Sequence, residues 1–143
     1  MKKLILTLLT ALTLTVANAQ NDTSTVYRIY QAEFYTYNDR TEKWILETQN
    51  TNVNFDMVVY KNSINIQAKT PTLFKVKAET KKFISGDSYY GYTFEALECV
   101  EEKICKLDYV YSKDNKNSFM LSIIFKDEVL GNVNLRYYST LNN

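Results

Sequence analysis

Apolar and polar residues alternate along almost the whole chain after residue 25. The alternation recurs in nine short runs separated by polar clusters, at residues 26–37, 43–49, 55–59, 64–68, 74–78, 89–97, 105–111, 118–125 and 129–138. A period of two places successive side chains on opposite faces of a strand, so each run predicts a half-buried β-strand. No window after residue 25 sustains the 3.6-residue apolar period of an amphipathic helix. The pattern therefore predicts an all-β domain.

The connections between the runs indicate how the strands pair. Short polar turns favour an antiparallel meander of sequential strands, and closing the sheet removes its two exposed edges. We therefore expect about eight to nine short strands curled into a small barrel or half-barrel of lipocalin-like shape, with a β-sandwich as the alternative. Residues 81–88, which contain Gly86 and Asp87, are predicted as a loop. Gly131 lies inside the ninth run and suggests a β-bulge or a close backbone approach.

The more apolar face of each run supplies the predicted core. Its members are Trp44, Phe55, Met57, Ile64, Ile66, Phe74, Val76, Phe94, Leu107, Ile123 and Leu135. An error of one residue in the register would exchange the buried and exposed faces of a whole strand. The burial of these residues therefore tests which face of each strand is assigned to the core.

The first nineteen residues differ from the rest of the chain. Lys2 and Lys3 precede an apolar run over residues 4–16, which Ala17-Asn18-Ala19 follows. A basic start, a short apolar segment and a small-x-small site are typical of a secretory signal peptide. The apolar run is shorter than the roughly 20 residues that span a bilayer. We expect a signal peptide over residues 1–19 and one exported domain over residues 20–143, in the periplasm or outside the cell, without stable membrane insertion after cleavage.

Composition narrows the possible functions. The chain has no histidine and two cysteines, so it lacks the commonest general base and too few thiols exist for a cysteine-based zinc site. It has 17 Lys and Arg against 16 Asp and Glu, with Lys2 and Lys3 in the predicted signal peptide. A nearly neutral domain lacks the basic field that binds nucleic acids or anionic membranes. We expect no catalysis, no cofactor, no metal site and no nucleic-acid partner.

Twelve tyrosines are the most distinctive part of the composition. Tyr90 and Tyr92 share one face of the sixth run, and Tyr109 and Tyr111 share one face of the seventh. Because tyrosine combines an apolar ring with a polar tip, these four residues are a candidate surface for a ligand or a partner protein. The alternative is that tyrosine is common here because it suits half-buried strand faces.

The two cysteines flank a short acidic turn. If the turn over residues 100–104 is centred on Glu102, Cys99 and Cys105 lie directly opposite each other, with Cβ atoms about 4.5 to 5.5 Å apart. An exported compartment permits oxidation, so we predict a Cys99–Cys105 disulfide. The alternatives are two separate thiols or a redox pair, although the spacing is not that of a C-x-x-C motif.

Several local features occur in a characteristic order. The first is an early hairpin that leads to a strand with a tryptophan, at residues 41–44. The second is a Val-Tyr pair followed by a turn and an I-x-I strand, at residues 59–66. The third is an aromatic strand that leads into an acidic turn followed by a cysteine, at residues 96–105. Together with the Ala-Asn-Ala-Gln junction at residues 17–20, this order resembles a group of small secreted all-β proteins of Bacteroidota with no assigned function. The resemblance implies the same fold class and carries no activity or site residues. Cys99 departs from the group, in which the later cysteine is usually alone.

Three functions are compatible with these observations. The first is a non-enzymatic binding module, since a small barrel with aromatic inward faces could hold a small apolar ligand. The second is a protein-interaction domain, such as an inhibitor, an immunity factor or an envelope-assembly factor, which would present an exposed apolar patch. The third is a small outer-membrane barrel, which would require Lys75, Lys77 and Glu79 to face the lumen.

Overall fold

Ten β-strands account for most of the residues that the structure describes. The computed structural model describes residues 23–115 and 117–141, so the predicted signal peptide and its cleavage site lie outside the described residues. The strands are β1 (Thr25–Asn38), β2 (Lys43–Asn50), β3 (Phe55–Val59), β4 (Ser63–Gln67), β5 (Thr72–Val76), β6 (Lys82–Ser85), β7 (Tyr89–Glu98), β8 (Ile104–Ser112), β9 (Ser118–Asp127) and β10 (Gly131–Leu141). A single 3₁₀ turn at Ala78–Thr80 is the only helical element among the described residues. None of the described segments is a helix long and apolar enough to cross a membrane.

Pairing between the first and last strands closes the sheet. β1 pairs with β10 along nearly its whole length, from Tyr27 opposite Leu141 to Thr36 opposite Val133. On its other side the first half of β1 pairs with β3. Eight strands, in the order β1-β3-β4-β5-β7-β8-β9-β10, therefore form a closed antiparallel barrel. The predicted all-β barrel is confirmed, and the β-sandwich alternative is not the structure.

Two strands lie outside the closed barrel. β2 pairs only with the second half of β1, and β6 pairs only with the first half of β7. The sequential meander is therefore interrupted twice, where β1 pairs with β3 and where β5 pairs with β7. The predicted loop over residues 81–88 was wrong, because residues 82–85 form β6. β6 is four residues long and pairs with only part of β7. A strand this short shows little apolar alternation in the sequence.

Alternate side chains from the eight barrel strands fill the interior. Ile29, Met57, Leu107 and Leu121 have no exposed surface and occupy its centre. Seven predicted core residues are buried, namely Met57, Ile64, Ile66, Phe74, Phe94, Leu107 and Ile123. Three others, Phe55, Val76 and Leu135, are partly buried and pack against the core.

Trp44 is the exception, and its predicted core position was wrong. Its strand, β2, lies outside the closed barrel, so neither of its faces points into the interior. The indole ring instead packs edge-on against Tyr37, with ring centroids 5.2 Å apart.

The predicted role of Gly131 was also wrong. Gly131 begins β10 directly after the turn that follows β9, and its φ is +75°, a left-handed conformation that glycine adopts without a steric penalty. A Cβ atom added there would meet nothing within 4 Å, so no backbone approaches it closely. The strand irregularity lies instead in β1, where the register with β10 shifts between Ile29 and Gln31.

The register of β7 and β8 contradicts the predicted disulfide. Cys105 lies opposite Ala96, and the N–H of Glu98 donates to the carbonyl oxygen of Lys103 at 2.8 Å. The turn is therefore centred earlier than expected, and Cys99 lies within it rather than opposite Cys105. The N–H of Cys99 donates to the carbonyl oxygen of Leu73 at 2.9 Å, which ties the turn to β5. Both cysteines are free thiols.

Candidate functional site

The barrel has a cavity at each end. We call the larger one the tyrosine mouth; it lies where β1 begins and β8 ends and has a volume of about 440 Å³. Its walls are formed by Val59, Ile64, Val76, Tyr92, Tyr109 and Tyr111. We call the smaller one the apolar mouth; it lies where β5 begins and β7 ends and has a volume of about 260 Å³. The two cavities share no lining residue.

Two neighbouring strands build the tyrosine wall. Tyr90 lies directly opposite Tyr111, and Tyr92 lies directly opposite Tyr109, in a regular antiparallel register between β7 and β8. Because residues two apart share a face of a strand, all four rings point to the same side of the sheet. Tyr92, Tyr109 and Tyr111 line the mouth, and Tyr90 stacks on Tyr111 with centroids 5.3 Å apart. The structure thus brings together the four tyrosines that the sequence singles out.

A third strand adds a hydroxyl group to this wall. Tyr27 of β1 reaches across the interior, and its hydroxyl lies 3.4 Å from that of Tyr109 and 3.2 Å from that of Tyr111. The Tyr111 hydroxyl donates to the Tyr109 hydroxyl at 3.0 Å. Sequence reasoning missed Tyr27, because only the β1–β10 closure brings it near β8.

Burial sets the protonation state of these hydroxyls. It raises the pKa of Tyr111 to about 12, and it raises the pKa of Tyr109 well above its usual range, with further contributions from the neighbouring hydroxyls. Both groups are therefore neutral at any physiological pH. They can donate and accept hydrogen bonds, and they supply no negative charge to the cavity.

The rim of the tyrosine mouth is basic. Lys61, in the turn between β3 and β4, and Lys81, which precedes β6, both line it. The Lys81 ammonium lies 4.1 Å from the centroid of the Tyr92 ring, within the range of a cation–π interaction. Within the part of the chain that the structure describes, no carboxylate lines this cavity.

The apolar mouth is smaller and chemically plainer. Phe74, Phe125 and Tyr137 form much of its wall, and an ion pair between Lys103 and Glu101 lies at its rim. Cys105 also lines it, but burial raises the pKa of this thiol to about 11. At neutral pH almost no thiolate is present, so the residue has none of the character of a reactive cysteine.

A shallow groove of about 360 Å³ lies on the outer face of β8, β9 and β10. Trp44 flanks it on one side and Ile84 on the other, so the two strands outside the barrel form its borders. At its floor the Ser122 hydroxyl donates to the Asn134 side-chain oxygen at 2.7 Å, and both residues are buried. Trp44 therefore lines this outer groove rather than the barrel interior.

A buried carboxylate lies on the outer face of β1. Glu33 accepts hydrogen bonds from the hydroxyls of Tyr35 at 2.6 Å and Tyr138 at 2.8 Å, and from the amides of Gln31 and Gln49. Burial opposes ionisation, but the four hydrogen bonds outweigh it and hold the pKa of Glu33 below its ordinary value. Four side-chain donors from β1, β2 and β10 reach this carboxylate, so we assign it a structural role.

Neither a metal-binding cluster among the described residues nor a similarity to known proteins indicates another site. Among residues 23–115 and 117–141, no group of three or more His, Cys, Asp or Glu side chains could hold a metal ion. No protein-family model, curated protein or solved structure matches the chain. The function must therefore be argued from the geometry of the barrel.

Proposed function

We propose that this protein is an exported, non-enzymatic binding module that holds the apolar part of a small ligand in the tyrosine mouth. The observation that carries the proposal is the cavity itself. Its volume of about 440 Å³ lies within the roughly 300 to 1,000 Å³ of typical ligand pockets. Apolar and aromatic walls with a few convergent polar groups are the usual composition of such a site.

The filled interior restricts where a ligand can bind. Leu107 and Leu121 lie between the two mouths and are completely buried, as are Ile29 and Met57. A ligand therefore occupies a mouth rather than a continuous channel. The apolar mouth, at about 260 Å³, is below the usual size of a ligand pocket, which favours the tyrosine mouth.

Two further observations bear on the cellular location of the protein. The signal-like pattern of residues 1–19 supports export. Lys75 is exposed and alternates with the buried Phe74, so it lies on the outer face of the barrel, where an outer-membrane barrel carries apolar side chains. This placement argues against the outer-membrane alternative.

A neutral fluorescent probe, N-phenyl-1-naphthylamine, tests the proposal by titration. We expect saturable binding at one site with enhanced emission. The Ala78→Trp variant places a bulky ring at the mouth from an exposed position, so it should weaken binding at least tenfold without disturbing the core. Thr51→Trp, on the exposed loop between β2 and β3, is the matched control and should bind as the wild type does.

The same titration can refute the proposal. Equal affinities for the Ala78→Trp and Thr51→Trp variants would place the probe elsewhere. A Leu135→Ala variant, altered in the apolar mouth, identifies the second cavity as the site if it alone changes the affinity.

A protein-interaction function has one observation in its favour. Four exposed apolar side chains occupy the β7–β8 and β9–β10 turns and the adjacent start of β8, namely Val100, Ile104, Val129 and Leu130. Val129 is 90% exposed, which is unusual for a large aliphatic residue. A partner that binds the wild type and not a Val100→Lys/Val129→Lys variant would favour this second function, provided that probe binding is unchanged.

A further inference from the structure

The two lysines that line the tyrosine mouth are among the described lysines that form no ion pair with a carboxylate. Lys77, Lys103 and Lys106 each pair with a carboxylate, at distances of 2.5 to 3.5 Å. Within residues 23–115 and 117–141, neither Lys61 nor Lys81 forms such a pair. Among the described residues, two ammonium groups therefore border one cavity without an ion pair to neutralise them.

The positive charge of the two lysines lies above a cavity wall that is apolar and uncharged. Val59, Ile64 and Val76 are apolar, and the hydroxyls of Tyr109 and Tyr111 are neutral. None of the described lining residues carries a negative charge. The mouth is thus apolar inside and cationic at its entrance, which is the complement of a molecule with an apolar tail and an anionic head.

We infer that the ligand of the tyrosine mouth is an amphipathic carboxylate, with its alkyl chain against the tyrosine wall and its head group bound by Lys61 and Lys81. This inference rests on the proposed function and specifies the ligand class. Lys81 is held at the entrance by its contact with the Tyr92 ring, so little side-chain freedom is lost when a carboxylate binds.

Three amphiphiles with the same ten-carbon chain separate the head group from the tail. Decanoate is anionic, 1-decanol is neutral, and decyltrimethylammonium is cationic. We expect calorimetric titration of the exported protein to give an affinity for decanoate about fivefold higher than for decanol, as two partly exposed ion pairs provide. Decyltrimethylammonium should bind more weakly than decanol, since it meets like charges.

A charge-neutralising variant identifies the lysines responsible. In the Lys61→Gln/Lys81→Gln variant the ratio of the decanoate affinity to the decanol affinity should fall from about fivefold to about one. Lys69→Gln/Lys126→Gln removes the same net charge from two exposed positions away from the tyrosine mouth and is the matched control. It should retain the preference for decanoate.

The outcomes distinguish this inference from the proposed function. Equal binding of decanoate and decanol, with no effect of the Lys61→Gln/Lys81→Gln variant, would overturn the head-group assignment and leave the mouth as an apolar site. Tightest binding of decyltrimethylammonium would also overturn it. Failure of all three amphiphiles to bind would overturn the proposed function as well.

Discussion

The rings of Tyr27 and Phe119 stack inside the barrel, with centroids 4.4 Å apart and planes inclined by 21°. Phe119 also packs edge-on against Tyr109, at a centroid distance of 4.3 Å. The floor of the tyrosine mouth is therefore a packed aromatic cluster from β1, β8 and β9. This cluster closes the barrel beneath the tyrosine mouth, and Ile29, Met57, Leu107 and Leu121 fill the interior beyond it.

Replacement of Phe74 and Trp44 by alanine tests the assignment of interior and exterior. Phe74 is buried, so Phe74→Ala should lower the free energy of unfolding by about 4 kcal/mol. Trp44 lies outside the barrel and contacts Tyr37, so Trp44→Ala should cost only about 1 kcal/mol. Urea denaturation measures both changes. A larger loss for Trp44→Ala than for Phe74→Ala would reverse the assignment.

The hydrogen-bonded carboxylate of Glu33 should make stability depend on acid pH. Its pKa is lowered from 4.5 in the folded protein, so its contribution is complete above that value and is lost as the pH falls through the lower folded pKa. Glu33→Gln places an amide among four donors and should cost about 2 kcal/mol at neutral pH. The difference from wild type should shrink below pH 4.5.

Unfolding curves between neutral and acid pH measure this dependence. Glu79→Gln removes an exposed carboxylate from the 3₁₀ turn and is the control, expected to match the wild type. A Glu33→Gln variant as stable as the wild type at neutral pH would show that the four hydrogen bonds contribute nothing.

The two thiols should differ in reactivity. Cys99 is partly exposed, whereas Cys105 is buried and has a pKa of about 11. Iodoacetamide at pH 8 should therefore modify Cys99 first and Cys105 only after unfolding, as intact mass would record. Two modified sites are expected in the unfolded, non-reduced protein. If unfolding exposes no thiol without a reductant, the cysteines are bridged and the register of the β7–β8 turn must change.

Gly91 allows β7 and β8 to approach closely behind the tyrosine wall. A Cβ atom at this position would overlap the carbonyl oxygen of Tyr109 and lie 2.9 Å from the Cα of Val110. Gly91→Ala should therefore cost about 3 kcal/mol and change the near-ultraviolet circular dichroism of the tyrosines. Gly131→Ala has open space around it, so its cost of about 1 kcal/mol comes only from the left-handed φ of +75°, and that spectrum should be unchanged. Identical spectra for the two variants would contradict the close approach.

The alternation of apolar and polar residues predicted most of the fold, because every second side chain of a barrel strand faces the interior. Nine of the ten strands fall within or beside the predicted runs, and the tyrosine pairs of β7 and β8 could be anticipated from their shared faces. β6 escaped prediction because an edge strand of four residues buries too little to require alternation.

The remaining errors concern non-local geometry. Alternation identifies the apolar face of β2 but not that β2 lies outside the barrel, so Trp44 was misplaced. The spacing of Cys99 and Cys105 does not determine where the turn is centred, and Glu102, at φ +55°, lies near the end of the turn rather than at its centre. Likewise, alternation does not show that Tyr27 reaches Tyr111 across the interior, or that Lys61 and Lys81 line the same cavity.

The most direct test of a ligand site in the tyrosine mouth is the amide chemical-shift change when 1-decanol is titrated into the ¹⁵N-labelled protein. We expect the saturating changes to centre on Tyr60, Ala78, Tyr92 and Tyr111, which line the mouth. Amides beside the apolar mouth, such as those of Phe125 and Leu135, should remain unchanged. Changes centred on Phe125 and Leu135, changes centred on Trp44, or no saturable change at all would contradict the proposed site.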